Sequence, residues 1–355
     1  MKSIQELTKG SIALLTQLIQ IPSFSKEEDQ TADLIEAYLK SYDVETHRDL
    51  NNIWAFNKYY DATKPTILLN SHHDTVKPNH GYTRYPFHAE IIDGKLFGLG
   101  SNDAGGCLVS LIATFLHYYE QPHLKYNVVI AATAEEEILG LHGLEWIVPQ
   151  LGSLDFAIVG EPTQMHLAIA EKGLMVLDCT AHGISGHAAR EEGENALYKA
   201  IEDILWFKTF QFPKQSNMFG PIKMSVTMIN SGYQHNVVPS KCDFVVDVRI
   251  TDAYTNEEVL DIIKAHTTCE IQPRSTRLRP SFIAENHPIV KAGVALGRTT
   301  YGSPTTSDQA ILKIPSVKLG PGNSARSHTA DEFVFISEIE DGIPLYIQIL
   351  DQLVL

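Results

Sequence analysis

Short apolar runs, separated by helical patterns, are the feature that most restricts the fold of this chain. The runs TILLN (66–70), YNVVIAAT (126–133) and FAIVG (156–160) contain few polar side chains. Strands that are apolar on both faces are typical of sheets covered by helices on both sides. The segment 104–119, AGGCLVSLIATFLHYY, has the apolar density of such a covering helix. The pattern predicts an α/β domain with a mixed central sheet flanked by helices.

The pattern changes between about residues 173 and 284. Strand-like segments of alternating polarity enclose two helical segments there, in the order β-α-β-β-α-β. This order is typical of the split βαβ, or ferredoxin-like, arrangement of four antiparallel strands with two helices on one face. The α/β pattern then resumes with helical segments at 289–300 and 337–354. We predict a discontinuous α/β domain of residues 1–172 and 285–355, interrupted by a second domain of residues 173–284.

The composition restricts the partners that we expect for the chain. Its 355 residues carry a formal net charge of −15, and such a field repels nucleic-acid phosphates and anionic lipid headgroups. No apolar run is long enough to span a bilayer, and the amphipathic first segment lacks the pattern of a secretion signal. The four cysteines form no CxxC pair, as is typical of free thiols in a reducing compartment. We expect a cytoplasmic protein without nucleic-acid or membrane partners.

Acidic and histidine residues collect where apolar strands are expected to end, which is where α/β sheets bind ligands. These positions are His72, Asp74, Asp103, the three glutamates at 135–137, Glu161 and His328. Each position taken alone has an ordinary alternative: a polar loop, a helix N-cap, a solvated charge run, a turn residue or a surface histidine. Together, two imidazoles and several carboxylates are ligands typical of zinc and related divalent metals. Carboxylates buried side by side also require a cation.

Five segments resemble the motifs of one family in the same order. SHHDTV, GSNDAGG, TAEEE, VGEPT and SHTADE are similar to motifs of the co-catalytic zinc amidases, which include aminoacylases, acetylornithine deacetylase, succinyl-diaminopimelate desuccinylase and glutamate carboxypeptidase. The resemblance implies two divalent metals per chain, with zinc expected and with cobalt or manganese able to use the same ligands. The implied ligands are His72 and Glu161 for one ion, Glu137 and His328 for the other, and Asp103 as the bridge between them.

The resemblance also implies a general base. Glu136 matches this position and would take a proton from the attacking water, while Asp74 would steady His72. Relatives usually have aspartate before the two glutamates, whereas Glu135 stands there in this chain. A register shifted by one residue therefore stays open as an alternative.

Motifs in the second domain imply further contacts with the substrate. AHGISGHAAR resembles a glycine-histidine motif of the family, with His187 in the place of a histidine that reaches the partner's active site across a homodimer. Asn236 and Arg249 match substrate-contact positions. Arg190 stands where relatives often have proline, and we hypothesise that it binds the carboxylate of a succinyl group. The alternative is a surface arginine that faces the neighbouring glutamates.

The motifs are most similar to those of acetylornithine deacetylase-like enzymes. The resemblance implies metal-dependent hydrolysis of a small N-acyl amino acid, N-acetyl- or N-succinyl-ornithine or -citrulline, in arginine biosynthesis. The chain would act as a homodimer formed through the second domain. A dipeptidase or aminopeptidase on the same fold is the second hypothesis. A binding homologue without catalysis is the third, although such a protein would have no use for the base Glu136.

Overall fold

A computed structural model describes residues 2–355, which divide into two compact units. The first unit comprises the chain up to Ile169 together with Phe282–Tyr301 and Ser307–Leu355. The second unit comprises Ala170–Ser281 and the short segment Gly302–Thr306. The sequence pattern places the domain boundaries at 172/173 and 284/285, and it assigns residues 302–306 to the first domain.

The helices are α1 (Ile4–Ile19), α2 (Asp29–Lys40), α3 (Gly106–Tyr118), α4 (Leu144–Ile147), α5 (Ala196–Thr209), α6 (Asn256–His266), α7 (Pro288–Ala295) and α8 (Ile336–Val354). The strands are β1 (His47–Asp49), β2 (Asn52–Phe56), β3 (Thr66–His72), β4 (Glu90–Ile92), β5 (Lys95–Phe97), β6 (Asn127–Thr133), β7 (Phe156–Val159), β8 (Leu167–Glu171), β9 (Gly173–His182), β10 (Gly186–His187), β11 (Lys223–Ser231), β12 (Val237–Val238), β13 (Lys241–Ile250), β14 (Glu270–Pro273), β15 (Ser281–Phe282), β16 (Thr300–Ser303), β17 (Ser316–Lys318) and β18 (Phe333–Phe335).

The first unit is built on a nine-stranded mixed sheet. Its strand order is β1-β2-β6-β3-β7-β17-β8-β15, with β16 also paired to β8. The central strands β6, β3 and β7 are parallel, and His72 lies opposite Thr133 in the β3–β6 register. Because parallel neighbours end at the same edge of a sheet, the residues that follow these three strands meet there.

Both faces of the central strands are buried. Ile67 and Leu69 of β3 join the large core that also includes residues of α1, α3 and α8, whereas Leu68 joins a smaller core with α4. Nearly every side chain of α3 is buried, because this helix contacts α1, α8 and the sheet. The apolar runs of the sequence are therefore strands covered on both sides, and the predicted α/β fold is confirmed.

The second unit contains a four-stranded antiparallel sheet with the order β11-β13-β9-β14. With α5 and α6, its elements follow one another as β-α-β-β-α-β. Along β13 every second residue is buried, and this face packs on a core that includes Phe207 of α5 and Val259 of α6. Helix α6 begins at a capping box formed by Thr255 and Glu258. A separate ribbon pairs β10 with β12.

One helix is shorter than its sequence pattern. The pattern of residues 289–300 predicts a helix throughout, but α7 ends at Ala295. Gly297 has a φ of +78°, a left-handed conformation that terminates helices and that glycine adopts without strain. The chain then enters β16 at Thr300, so the helix predicted for residues 296–300 is wrong.

Membrane spans and disulfides are both absent from residues 2–355. No helix of this range combines the length and the apolar character needed to cross a bilayer. All four cysteines are free, and three of them, Cys107, Cys179 and Cys242, are buried.

Candidate metal centre

Three parallel strands bring a histidine and carboxylates to one edge of the central sheet. His72 is the last residue of β3, Glu136 and Glu137 follow β6, and Glu161 follows β7. Because β3 lies between β6 and β7, His72 occupies the middle of this group. Glu135 has a φ of +56°, so the glutamate run leaves β6 through a left-handed turn.

Asp103 and His328 reach the same place from loops. Asp103 lies in the loop between β5 and α3, and His328 lies in the loop before β18, so neither residue directly follows a strand. Asp103 Oδ1 lies 3.5 Å from His72 Nε2, and Asp103 Oδ2 lies 3.5 Å from His328 Nε2. The carboxylate of Asp103 therefore stands between the two histidines, with one oxygen toward each.

Each histidine has its own carboxylate neighbours. His72 Nε2 lies 3.7 Å from Glu161 Oε1 and 3.8 Å from Glu136 Oε2. His328 Nε2 lies 2.9 Å from Glu137 Oε2. Two groups of residues could each hold a metal ion: His72, Asp103 and Glu137, and His72, Glu136 and Glu161. Within each group, the possible ligand atoms lie within 4.8 Å of one another. The candidate residues thus form one continuous cluster around His72 and Asp103.

The Nε2 atom of His72 indicates that this cluster fits a cation. The His72 side chain is 1% exposed, and Nε2 has no hydrogen-bond partner within the part of the chain that the structure describes. The other ring nitrogen, Nδ1, lies 3.0 Å from the backbone oxygen of Asp74. Burial opposes protonation of His72, but Glu136, Asp103 and Asp74 raise its pKa well above the usual value, so the cluster already holds a positive charge at this nitrogen. A metal ion could take the place of the Nε2 proton while Nδ1 keeps its hydrogen bond, as in histidines that ligate metals, and the surrounding carboxylates suit a divalent ion.

The pKa values reflect how strongly the charges of the cluster interact. Burial and neighbouring carboxylates raise the pKa of Glu161 to about 8, and burial raises the pKa of Glu136 well above its usual value. The hydrogen bond with Glu137 raises the pKa of His328 to about 9. Carboxylates held this close repel one another when ionised, and divalent ions would remove this repulsion.

Asp74 connects His72 to the glutamate run. Its carboxylate accepts the backbone N–H groups of Glu136 and Glu137 at 3.0 and 3.1 Å and the Ser25 hydroxyl at 2.7 Å. Asp74 Oδ1 also lies 3.3 Å from His72 Nδ1. Burial opposes ionisation of Asp74, but His72 and the donated hydrogen bonds hold its pKa below the usual value. Asp74 therefore remains an anion that fixes the orientation of its neighbours.

Two further buried carboxylates, Glu28 and Asp308, support the cluster and are not singled out by the sequence pattern. Glu28 is 0% exposed and accepts the backbone N–H of Glu135 at 3.2 Å. Asp308 accepts hydrogen bonds from Asn70 Nδ2 at 2.7 Å and from Thr133 Oγ1 at 3.0 Å, and burial raises its pKa to about 6. Neither residue follows an apolar run, so only tertiary contacts identify them.

The loop of Asp103 is held by a third buried carboxylate, Glu332, which accepts three backbone N–H groups of this loop. Burial raises the pKa of Glu332 to about 8. Glu332 belongs to the SHTADE segment, but its sequence position does not reveal this contact. Within the loop, a Cβ on Gly105 would lie 2.5 Å from the backbone oxygen of Gly100, which explains the glycine after Asp103 and Ala104.

Within the second unit, His187 is the last residue of β10, and Asn236 directly precedes β12. His187 is opposite Val237, and Ala188 donates its N–H to Asn236 O at 3.0 Å. His187 is exposed, and its Nδ1 accepts the N–H of Ala189 at 3.1 Å. The neutral ring therefore carries its proton on Nε2, which makes His187 a hydrogen-bond donor toward solvent.

The two arginines predicted to bind substrate differ in their surroundings. Arg249 donates from Nε and Nη2 to the two oxygens of Asp247 at 2.8 and 3.1 Å, so a substrate carboxylate would share the guanidinium with this aspartate. Arg190 Nη1 lies 3.8 Å from Glu192 Oε1, and the two side chains are 67% and 71% exposed. The exposure of Arg190 and its glutamate neighbour match the alternative that Arg190 is an ordinary surface residue. The contact of Arg190 with an acyl group stays a prediction.

This fold and this cluster define a metal-dependent hydrolase of the amidohydrolase and peptidase class. The sequence model described as Peptidase family M20/M25/M40 matches residues 68–352, and the chain belongs to this family.

Similar proteins extend over most or all of the chain. A LysW-lysine/LysW-ornithine hydrolase from Sulfurisphaera tokodaii is 30% identical over 364 residues, which cover 99% of this chain and 98% of that protein. Succinyl-diaminopimelate desuccinylase 2 from Ruegeria sp. is 28% identical over 272 residues, which cover 72% of this chain and 69% of that protein. Among solved structures, the aminopeptidase PepT from Bacillus cereus has a TM-score of 0.78 at 17% identity and covers 98% of both chains. The similarity to PepT shows that the two proteins share a fold.

Proposed function

We propose that the chain hydrolyses the amide bond of a small N-acyl amino acid with two divalent metal ions. The observation that carries this proposal is the position of Asp103, whose two oxygens each lie 3.5 Å from a histidine Nε2. Two metals clamped by shared ligands are a recurrent device of hydrolases. The cluster offers such a shared carboxylate together with separate partners for each ion.

The proposed ligands are His72 and Glu161 for the first ion, Glu137 and His328 for the second, and Asp103 for both. Mixed imidazole and carboxylate ligands suit zinc, and cobalt or manganese could occupy the same set. When bound, the ions supply Lewis acidity that polarises the substrate carbonyl and makes water more acidic.

Glu136 is the proposed general base. Its carboxylate lies beside the cluster, 3.8 Å from His72 Nε2, and the hydrogen bond from its N–H to Asp74 fixes its backbone. In the proposed reaction Glu136 takes a proton from the attacking water and returns it to the nitrogen of the leaving amine. Glu137 has a different proposed role because its carboxylate already contacts His328.

His187 is the proposed donor to the oxyanion. A hydrogen bond from its Nε2 would stabilise the carbonyl oxygen as negative charge develops there. We propose that His187 serves the active site of a partner chain, and that Asn236, directly before β12, and Arg249 contact the substrate.

Exposed apolar residues on the second unit support a homodimer. Helix α5 exposes Tyr198, Ile201 and Leu205, and strand β11 exposes Met228 and Ile229. Strand β11 is at the edge of its sheet and contacts α5. An apolar surface beside an unpaired strand edge is typical of a region that associates with another chain.

The proposed substrates are N-acetyl or N-succinyl derivatives of ornithine or citrulline, and the proposed setting is arginine biosynthesis in the cytoplasm. Two relatives are named for hydrolysis of succinyl-diaminopimelate and of LysW-linked lysine or ornithine, which supports an acylated amino acid as the substrate class. The structural likeness to an aminopeptidase keeps a dipeptidase or aminopeptidase as the second candidate. The presence of Glu136 beside a full ligand set argues against a binding homologue without catalysis.

A hydrolysis panel with metal-reconstituted protein tests the proposal. The panel contains the four acylated ornithines and citrullines, succinyl-diaminopimelate and dipeptides with free N-termini, and Glu136→Gln protein serves as the control. We expect at least one acylated amino acid to have a kcat/KM roughly tenfold or more above any dipeptide, equivalent to about 1.4 kcal/mol. Preferential cleavage of dipeptides would favour the second candidate. No cleavage by protein that holds two metals would favour the binding homologue.

A further inference from the structure

Glu332 lies buried against the loop that carries Asp103. Glu332 is only 2% exposed, and a carboxylate buried to this extent has lost most of its hydration. Glu332 Oε1 accepts the N–H groups of Asn102 at 2.8 Å and Asp103 at 2.9 Å, while Oε2 accepts the N–H of Gly100 at 3.2 Å. One side chain therefore satisfies three backbone donors of a single loop.

Asp103 depends on this support more than His72 does. His72 is fixed by pairing of β3 with β6 on the central sheet, whereas Asp103 lies in an irregular turn with φ −117° and ψ 97°. A residue in such a turn has no strand ladder to hold its backbone. The N–H of Asp103 itself is one of the three groups that Glu332 binds.

The same contact joins the two ligands that come from loops. Glu332 follows His328 by four residues in the sequence, so a shift of one loop is transmitted to the other. Asn102 strengthens the connection, because its Nδ2 donates to Asn323 O at 3.1 Å. The relative position of Asp103 and His328 is therefore fixed by hydrogen bonds between the loops and not by a shared element.

We infer that Glu332 is a positioning residue that sets the affinity of the chain for both metal ions by fixing the backbone of the bridging Asp103. This inference rests on the proposed two-metal function. It means that Glu332, which is not itself a ligand, controls the position of the carboxylate that both ions share. Loss of a group that orients a ligand typically lowers metal affinity about 10- to 100-fold. Because Asp103 is shared, both ions should be weakened together, whereas loss of Glu137 should weaken one ion.

The variant Glu332→Gln changes this contact with little change in volume. A glutamine side chain has one acceptor oxygen, and its NH₂ group must then face backbone donors that lack an acceptor. Asp331→Asn is the matched control, because Asp331 accepts the N–H groups of Thr83 and Arg84 at 2.9 Å each. Asp331 thus supports a neighbouring loop that carries none of the proposed ligands.

The test is a calorimetric titration of metal-free wild type, Glu332→Gln, Glu332→Asp, Asp331→Asn and Glu137→Gln with Zn²⁺. Metal content after dialysis is measured in parallel, and circular dichroism and thermal unfolding compare the metal-free folds. We expect Glu332→Gln to bind both ions about 10- to 100-fold more weakly while its metal-free fold is retained. Glu332→Asp, which keeps a carboxyl group but has a shorter reach, should lie between Glu332→Gln and wild type. Asp331→Asn should bind as wild type does, and Glu137→Gln should lose affinity for one ion.

Wild-type affinity of Glu332→Gln for both ions would overturn the inference while leaving the two-metal site intact. Loss of the metal-free fold in both Glu332 variants would also overturn it, because the residue would then be needed for folding in general. Failure of the wild type itself to bind two ions would instead remove the proposed function, and this inference with it.

Discussion

The carboxylate of Asp74 accepts the backbone N–H of Glu136 at 3.0 Å, and its second oxygen accepts that of Glu137 at 3.1 Å. A single buried anion thus fixes two adjacent glutamates for which different roles are proposed. Glu137 Oε2 lies 2.9 Å from His328 Nε2, whereas Glu136 Oε2 lies 3.8 Å from His72 Nε2. The contact with His328 supports Glu137 as a ligand, whereas Glu136 lies as close to His72 as Glu161 does and belongs to a possible ligand set with both. The assignment of Glu136 as the base therefore stays a prediction.

Replacing each of these glutamates should separate the two roles. We expect Glu136→Gln to keep both metals and to lose about 10²- to 10⁴-fold in kcat, the usual contribution of a general base. Glu137→Gln should lose affinity for one ion. Metal content and turnover of the two variants provide the measurement. If Glu136→Gln loses a metal and Glu137→Gln keeps both, the register is shifted by one residue.

Hybrid dimers should reveal whether His187 acts in the partner's active site. Chains with His187→Ala are mixed with chains carrying Glu136→Gln, each of which should be inactive in its own homodimer. In the hybrid, one active site would combine an intact Glu136 with an intact His187 from the other chain, so activity should return. Hybrids that form, as shown by differential tagging, but stay inactive would contradict the proposed role across the dimer.

Arg190 should affect succinylated substrates selectively if it binds the acyl carboxylate. A charged hydrogen bond contributes about 1.5–3 kcal/mol, so Arg190→Ala should lower kcat/KM for N-succinylcitrulline roughly tenfold or more relative to N-acetylcitrulline. Lys199→Ala, which removes an exposed cation paired with Glu194 on the same unit, is the control. An equal effect on both substrates would leave Arg190 as the surface residue that its contact with Glu192 suggests.

His287 should contribute to the acid sensitivity of the metal-free protein. Its Nδ1 accepts the N–H of Ile289 at the start of α7, its ring packs edge-on against Phe156, and burial lowers its pKa. The unfolded chain, with a histidine pKa of about 6.5, therefore binds this proton before the folded chain does. The stability contributed by His287 is present above the pKa of histidine in the unfolded chain. It is lost as the pH falls through the lower pKa of His287 in the folded chain.

The variant His287→Asn retains an N-cap side chain that does not titrate. Between about pH 7.5 and pH 5.5, a range that spans the unfolded histidine pKa, it should lose less unfolding free energy than wild type. Denaturant unfolding of both metal-free proteins at the two pH values provides the comparison. Equal losses would show that His287 does not contribute to the acid sensitivity.

The strands that form the central sheet were predictable because burial on both faces leaves an apolar run in the sequence. Residues 126–133 predict a strand, and β6 spans Asn127–Thr133. The same reasoning indicates where His72, the glutamate run and Glu161 lie, since parallel strands end at one edge. Asp103 and His328 are also candidates in the sequence, but their loops carry no periodicity, so the family motifs are what assign them to the same cluster.

The supporting residues could not be predicted from local sequence. Glu332 contacts Asp103 across 229 positions of the chain, and Glu28 contacts Glu135 across 107. A buried carboxylate on a loop has the same sequence appearance as an exposed one, and only the backbone donors around it show the difference. Likewise, the helical pattern of residues 289–300 does not reveal that Gly297 takes a left-handed conformation.

The most direct test of the two-metal account is to titrate metal-free protein with Zn²⁺ while bound metal and hydrolysis of an acylated amino acid are followed together. The account predicts maximal turnover at two bound ions per chain. It also predicts that Asp103→Ala binds both ions weakly, because the oxygens facing His72 and His328 belong to this one carboxylate. Two tightly bound ions in Asp103→Ala, or full turnover of wild-type protein without metal, would contradict it.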